Sequence, residues 1–449
     1  MNKLSLNDRK SLLDKFTNKT KASGSKREVI SVNLDKKCTF KDFLLYKKIE
    51  AQASIAKQIG IDNPFMLCHE TIAKDHTIVC GKDLLNFATY DYLGLNGDER
   101  VLKRAIDEMQ KFGTSAGASR LVAGQRPIHK KLEDAIAKHY GQEDAIVLVS
   151  GHATNVSVIS TLFSKDDLII YDKLSHNSIL LGAQFSGATC LAFIHNDMHS
   201  LEELLKKHRD NYKNTLIVTE GVFSMDGDIA NLPVLVDLKN KYNAFLMIDE
   251  AHALGVVGKT GAGSFEHYNL NPKDIDIYMG TLSKTLCSCG GYIAGTKELV
   301  DILKYYSPGF VYSVGISPVL AAASLEALDL LHKEQFRVEH LQKICKVAKE
   351  YATSIGLDVG NAQSTAVLPI IIGASVKATV LSNLLYQEGG VLALPIIYPA
   401  VEEEKARIRL FLSYSHNEDE IKQCLDTILR LDKKAQEIVQ DYMKNPQEQ

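Results

Sequence analysis

From Asp98 onward the chain alternates amphipathic stretches with short, almost wholly apolar runs. Val101–Phe112 and Ile128–Tyr140 carry apolar residues at helical spacing, whereas Ala145–Val149, Leu168–Tyr171, Thr189–Ile194, Thr215–Thr219 and Ala244–Ile248 are too short for helices and read as buried strands. Asp276–Met279 adds another β-type run. Strands alternating with helices imply right-handed βαβ units and a mostly parallel sheet covered on both faces. After Pro318 the pattern changes to two long helices, Val319–Glu334 and Val338–Ser354, then strands near Val367–Ile372 and Ile408–Leu412, and a last helix over Asn417–Lys434. Upstream, Phe43, Leu44, Ile49, Ala53 and Ile55 predict a helix over Phe40–Ile59, stopped by Gly60. Thr77–Phe87 predicts a hairpin turning around Gly81-Lys82-Asp83. The expected organisation is an N-terminal extension (1–37), a helix and hairpin segment (38–95), a large α/β domain (96–318) and a smaller α+β domain (319–449).

A chain of 449 residues, 45% hydrophobic and 24% charged, has the composition of a soluble globular protein with a sizeable core. A formal net charge of -3 gives no global bias toward nucleic acid. No run approaches the ~18 apolar residues of a membrane span, and the polar, lysine-rich first 30 or so residues do not read as a secretory signal. The eight cysteines are scattered without paired metal spacing, so no metal is expected and the compartment is read as reducing and cytoplasmic. The basic stretch 1–37 reads as a solvated extension, with partner docking as the alternative.

Candidate chemistry concentrates in two places. The strand-like run Asp276–Met279 delivers Thr281, Ser283 and Lys284 to a loop, followed by Gly290-Gly291. A lysine among small hydroxyls and glycines after a buried strand suits a Schiff base beside a phosphate. Upstream, the apolar strand Leu246-Met-Ile ends in Asp249, with His252 three residues on, and a strand-end Asp suits a partner for a pyridinium nitrogen.

With these two in register, the chain from about Asn86 onward resembles the α-oxoamine synthases, pyridoxal-phosphate enzymes of fold type I that include 8-amino-7-oxononanoate synthase and serine palmitoyltransferase. Further motifs carry the resemblance. Glu220-Gly-Val-Phe-Ser-Met-Asp-Gly-Asp228 matches a family nonamer almost letter for letter, and Ser224 is then expected near the 3′-oxygen of the cofactor. Asp172-Lys-Leu-Ser-His176-Asn-Ser places His176 over the pyridine face. In Val149-Ser-Gly-His-Ala-Thr-Asn155 a strand turns into a helix whose Gly151 and His152 N–H groups suit the phosphate. Gly113–Gly124, followed by His129 and Glu133, resembles the family's glycine-rich segment. Ala406–His416 places Arg409 as the carboxylate-binding arginine, with Arg407 on the same face and structural. Tyr90 stands where several members have an Asn that touches the substrate carboxylate. In Pro308–Pro318, Ser313 matches the segment that reaches the phosphate of a neighbouring subunit, while Val314 replaces a hydroxyl-bearing residue.

The resemblance implies a homodimer with active sites at its interface and pyridoxal 5′-phosphate bound to Lys284, with Thr281 and Ser283 on the phosphate. Asp249 pairs with the ring nitrogen, and His252 lies by the 3′-oxygen and the acyl carbonyl. The implied reaction condenses glycine, alanine or serine with an acyl thioester, carried by CoA or an acyl carrier protein, with loss of CO2 and thiol. An aminotransferase shares Lys284 and Asp249 and is the rival within fold type I. A non-catalytic subunit would lack the lysine.

Overall fold

The computed structural model describes residues 37–444, so of the basic stretch 1–37 only Lys37 falls among the described residues. By compactness the chain divides between residues 55 and 56. In the first unit Thr39 caps a single turn, Phe40–Asp42, by accepting from the Lys41 N–H. The helix Leu44–Gln58 then begins, later than its apolar spacing predicts. Phe40, Phe43, Leu44, Leu45 and Ile49 are exposed.

In the second unit, β1 (His76–Val79) and β2 (Lys82–Asn86) form the expected hairpin. Its turn is Cys80-Gly81, with φ of +50° and +70°, and not Gly81-Lys82-Asp83. A two-residue hairpin loop of this kind needs positive φ at both positions, and Lys82 and Asp83 are thereby freed to join β2.

Seven strands make the central sheet: β3 (Asp144–Leu148), β4 (Leu168–Asp172), β5 (Thr189–Phe193), β6 (Thr215–Glu220), β7 (Phe245–Asp249), β8 (Ile277–Thr281) and β9 (Gly291–Gly295). Their spatial order is β3-β9-β8-β7-β6-β4-β5. All run parallel except β9, which is antiparallel to both β3 and β8. The sequence did not predict β9. Every residue of β3, β6, β8 and β9 is buried, as a sheet with helices on both faces requires. Four strands end in a polar residue at the same edge: Asp172 on β4, Glu220 on β6, Asp249 on β7 and Thr281 on β8. Carboxyl ends of parallel strands are where open α/β sheets bind ligands.

The helices Pro318–Lys333 and Gln335–Ser354 lead into a second sheet, in which β13 (Ala406–Phe411) lies between β10 (Val367–Gly373) and β12 (Leu394–Ile396), antiparallel to both. The short β11 (Val391–Leu392) pairs parallel with β2, so the hairpin joins a strand drawn from the C-terminal half. The last helix, Glu418–Lys444, runs beyond the predicted end at Lys434.

Candidate active site

Lys284 follows β8 in a tight loop in which the Cys287 N–H donates to the Lys284 carbonyl at 2.9 Å, with Cys287 at φ +51°. The residue is half-buried. Desolvation lowers its amine from 10.5 to about 8, opposed by Asp249 and Glu220 and assisted by Arg409. Those four side chains therefore share one electrostatic neighbourhood.

Asp249, at the end of β7, is buried. One carboxylate oxygen accepts from the Ala251 N–H at 3.0 Å and the other from Asn155 Nδ2 at 2.9 Å. Asn155 Nδ2 also donates to Ser178 Oγ at 3.0 Å, and that hydroxyl lies 2.6 Å from His176 Nδ1. The Ser178 N–H also donates to His176 Nδ1, at 3.3 Å, so the neutral ring carries its proton on Nε2. Burial lowers the His176 pKa, with Lys284 and Arg409 acting in the same direction against Asp249. A continuous chain of hydrogen bonds thus fixes Asp249 and His176 relative to each other.

Glu220, in register with Asp249 on the neighbouring strand, is buried. Its two carboxyl oxygens accept from the His176 N–H at 2.6 Å and the Ser224 N–H at 3.4 Å. Burial and then Asp249 push its pKa up to about 8. His252 is buried as well; its Nδ1 lies 2.6 Å from the Tyr92 hydroxyl, and burial holds its pKa well below 6.5.

Arg409 on β13 donates through Nη1 to the Ser224 carbonyl at 2.9 Å, while its buried Nε has no partner. Arg407, two residues away, pairs with Asp226 at 2.9 Å and also donates to the Met225 carbonyl. Both arginines reach the same 224–226 turn, as period-two alternation predicts. Phe411 organises the roof of the site. The Arg409 guanidinium sits 4.5 Å from its ring centre, the His252 ring is parallel to it at 6.1 Å, and Tyr90 meets it edge-on at 5.5 Å. Lys284 Nζ lies 5.7 Å from the Tyr90 ring centre.

At the other side, Ser150 caps the helix Gly151–Leu162 by accepting from the Ala153 N–H. The N–H groups of Gly151 and His152 have no acceptor among the described residues. Thr281 Oγ1 lies 2.7 Å from Ser283 Oγ and donates to the Gly290 carbonyl at 3.0 Å. A Cβ on Gly151 would lie 2.9 Å from Thr281 Oγ1, so only glycine lets this helix start close against β8.

The structure therefore brings together Lys284, Asp249, His176, Ser224, Arg409, His252 and Tyr90, with Gly151, Thr281 and Ser283 at the neighbouring helix start. His152 contributes its backbone there; its side chain is exposed, 6.2 Å centre to centre from the His176 ring. Ser313 makes no hydrogen bond to any of these groups; it is half-buried between the exposed Tyr312 and Val314. The polar side chains of the glycine-rich segment are committed to structure. Arg120 forms a buried bidentate pair with Glu133 at 2.6 and 2.9 Å, and His129 bonds the Ile316 carbonyl at 2.8 Å. Sequence reasoning assigned no role to Asn155, Glu220, Tyr92 or Phe411. Asn155, Glu220 and Phe411 lay inside the quoted motifs, but only their burial and partners reveal what they do.

The family described as "Aminotransferase class I and II" matches residues 82–428. An 8-amino-7-oxononanoate synthase of Thermoanaerobacter pseudethanolicus is 39% identical over 364 residues, covering 81% of this chain and 91% of the relative. The solved serine palmitoyltransferase of Sphingomonas wittichii is 26% identical with a TM-score of 0.84, covering 89% of this chain and 99% of its own. That of S. paucimobilis, solved with a bound PLP–myriocin aldimine, is 26% identical with a TM-score of 0.83 over 88% and 99%.

The donor set here fits such a group. Free helix-start N–H groups and two hydroxyls suit a phosphate, a doubly hydrogen-bonded buried carboxylate suits a ring N–H, and an amine near 8 suits a Schiff base.

Proposed function

Because the chain belongs to the class I and II aminotransferase family and, within it, to the α-oxoamine synthases, pyridoxal-phosphate enzymes of the acyltransferase type, we propose that it condenses a small α-amino acid with an acyl thioester. Glycine, L-alanine and L-serine are the candidate amino acids; an acyl-CoA or an acyl carrier protein is the donor. CO2 and the thiol leave, and an α-amino ketone remains.

The observation that carries this reading is Arg409. Its Nη1 is spent on Ser224, and its buried, unpartnered Nε leaves that edge of the planar fork to a carboxylate. Lys284 would hold the cofactor, with Gly151, His152, Thr281 and Ser283 on its phosphate, His176 against its ring, Asp249 on the ring nitrogen and Ser224 and His252 at the 3′-oxygen. Bound there, the cofactor supplies an electron sink for the amino acid's Cα. Lys284, with a pKa of about 8, has an appreciable neutral fraction near pH 7 and takes the Cα proton. His252, kept neutral by burial and oriented by the Tyr92 hydroxyl, hydrogen-bonds the acyl carbonyl. Tyr90, Tyr92 and Phe411 form an apolar roof that limits water over the amine. A homodimer through the face bearing Tyr312, Ser313 and Val314 is part of the reading, as is docking of a carrier protein on the basic stretch 1–37. No helix among the described residues is long and apolar enough to cross a membrane.

The test is a spectral titration of the purified, cofactor-loaded protein with glycine, L-alanine and L-serine, followed by an acyl thioester. A saturable shift of the visible band with one amino acid, then release of free thiol and CO2, is expected. Amine exchange with a keto acid and no thiol release would establish the aminotransferase reading instead. A protein that binds no pyridoxal phosphate would overturn both.

A further inference from the structure

Outside the groups assigned above, His195 is the most heavily engaged ionisable side chain. It lies just past β5, before the helix Met198–His208. Its Nδ1 is 2.9 Å from Asp172 and its Nε2 is 2.9 Å from Asp228. Both aspartates are buried, and among the described residues neither has a lysine or arginine partner. An ionised carboxylate only accepts hydrogen bonds, so a ring that meets one at each nitrogen must be protonated on both. Burial alone would lower its pKa, but Asp172 and Asp228 together push it up to about 10. Phe223 meets the imidazole edge-on at 4.4 Å, and Tyr268 lies within electrostatic reach of Asp228. Asn196 reinforces the arrangement, its N–H donating to Asp172 at 2.8 Å and its Nδ2 to Asp228 at 3.3 Å.

What this cation joins gives it a role. Asp172 ends β4 and shapes the turn to His176, accepting from the Leu174 N–H through its side chain and from the Ser175 N–H through its carbonyl. Asp228 closes the turn that begins at Glu220, where its carbonyl accepts from the Phe223 N–H at 2.9 Å. That turn carries Ser224, whose carbonyl holds Arg409. Closer to Lys284, Glu220 ties the same two loops through the His176 and Ser224 N–H groups. One tie is a carboxyl group inside the site, and the other is a charged strut behind it.

We propose that His195, an imidazolium bridging Asp172 and Asp228, is a positioning residue that sets the separation between the His176 loop and the Ser224–Arg409 turn. It touches neither cofactor nor substrate. The proposal rests on the reading that these two segments flank pyridoxal phosphate and the amino acid.

Two measurements test it. Nitrogen-15 NMR of the cofactor-free wild-type protein at pH 8 reads the ring directly, with the His195 signals assigned by their loss in His195→Gln. Both nitrogens protonated is the expected result, and a neutral ring overturns the proposal without any functional assay. In the holoenzyme, His195→Gln should weaken cofactor retention and raise the amino-acid KM, with kcat/KM falling by up to about 100-fold if the loops shift by about 1 Å. Asp228→Asn keeps the shape, removes one charge and should move the same two quantities in the same direction, which guards against a His195→Gln variant that does not fold. A folded variant with wild-type cofactor retention and KM overturns the positioning role. If the wild-type protein itself binds no pyridoxal phosphate, the functional reading fails instead, and the NMR result still decides the charge state of the strut.

Discussion

Replacing Lys284 by methionine should make the cofactor-free protein more stable at neutral pH. In the unfolded chain a lysine titrates near 10.5, and in the folded protein Lys284 titrates near 8 because desolvation outweighs the attraction of Asp249 and Glu220. Between pH 8 and 10.5 the unfolded chain therefore holds a proton that the folded one has lost, so stability rises with pH across that window. Below pH 8 the full penalty of the buried ammonium is present. A shift from 10.5 to about 8 corresponds to roughly 3 kcal/mol at about 1.4 kcal/mol per unit. Because the residue is half-buried, screening reduces this, and about 2 kcal/mol is the expected gain. Methionine fills a similar volume without the charge. The assay is urea unfolding of cofactor-free wild type and Lys284→Met at pH 7 and pH 10, at one protein concentration. The variant should unfold at higher urea at pH 7, with most of the difference gone by pH 10. A variant that is less stable at pH 7, or a gain that does not change with pH, would show that the ammonium is not destabilised by its site. The neutral base needed at Cα would then have no structural basis.

Three further outcomes follow from the same geometry. Arg409→Lys keeps the charge but loses the fork, so the amino-acid KM should rise about tenfold or more, as expected for losing a hydrogen bond to a charged group, while cofactor binding measured by absorbance stays intact. Glu133→Gln leaves Arg120 buried beside an uncharged partner and should cost about 3–5 kcal/mol in urea unfolding; combining Arg120→Met with Glu133→Leu should recover most of it. Gly151→Ala places a methyl 2.9 Å from Thr281 Oγ1, one of the two hydroxyls at this helix start, so the dissociation constant for pyridoxal phosphate measured by equilibrium dialysis should rise.

The strand-end logic of the site was legible in the sequence because it is local. A run such as Phe245–Asp249 announces both the strand and the residue at its carboxyl end, and alternation in β13 places Arg407 and Arg409 on one face. What stayed hidden depends on contacts far apart in the chain. Gly291–Gly295 is short, begins and ends in glycine, and becomes β9 only because β3 and β8 leave an antiparallel place between them. The Tyr92–His252 contact joins residues 160 positions apart, and no periodicity encodes it. His195 meets its two aspartates across 23 and 33 positions, so nothing in its own neighbourhood distinguishes it from a surface histidine. The hairpin turn erred for a different reason: the glycine marked the loop, but Cys80 supplies the first positive φ.

The ionisable groups around Lys284 obey one rule. Burial disfavours charge, so it raises an acid and lowers a base, and here it brings Glu220 and Lys284 to about the same value, near 8. Exposed, the two would differ by about six units and always form an ion pair. Brought level, both are largely protonated at neutral pH, and small changes in the charge around them shift how readily each gives up its proton. Asp249 pushes Glu220 up and holds Lys284 higher than burial alone would, whereas Arg409 lowers Lys284. A carboxylate arriving at Arg409 neutralises that last influence and makes the amine more basic at the moment the amino acid is in place. The two histidines do not compete for this proton, because burial keeps both His176 and His252 below their ordinary range. The same low-dielectric enclosure that makes Lys284 costly to the fold therefore gives it a basicity that responds to the substrate.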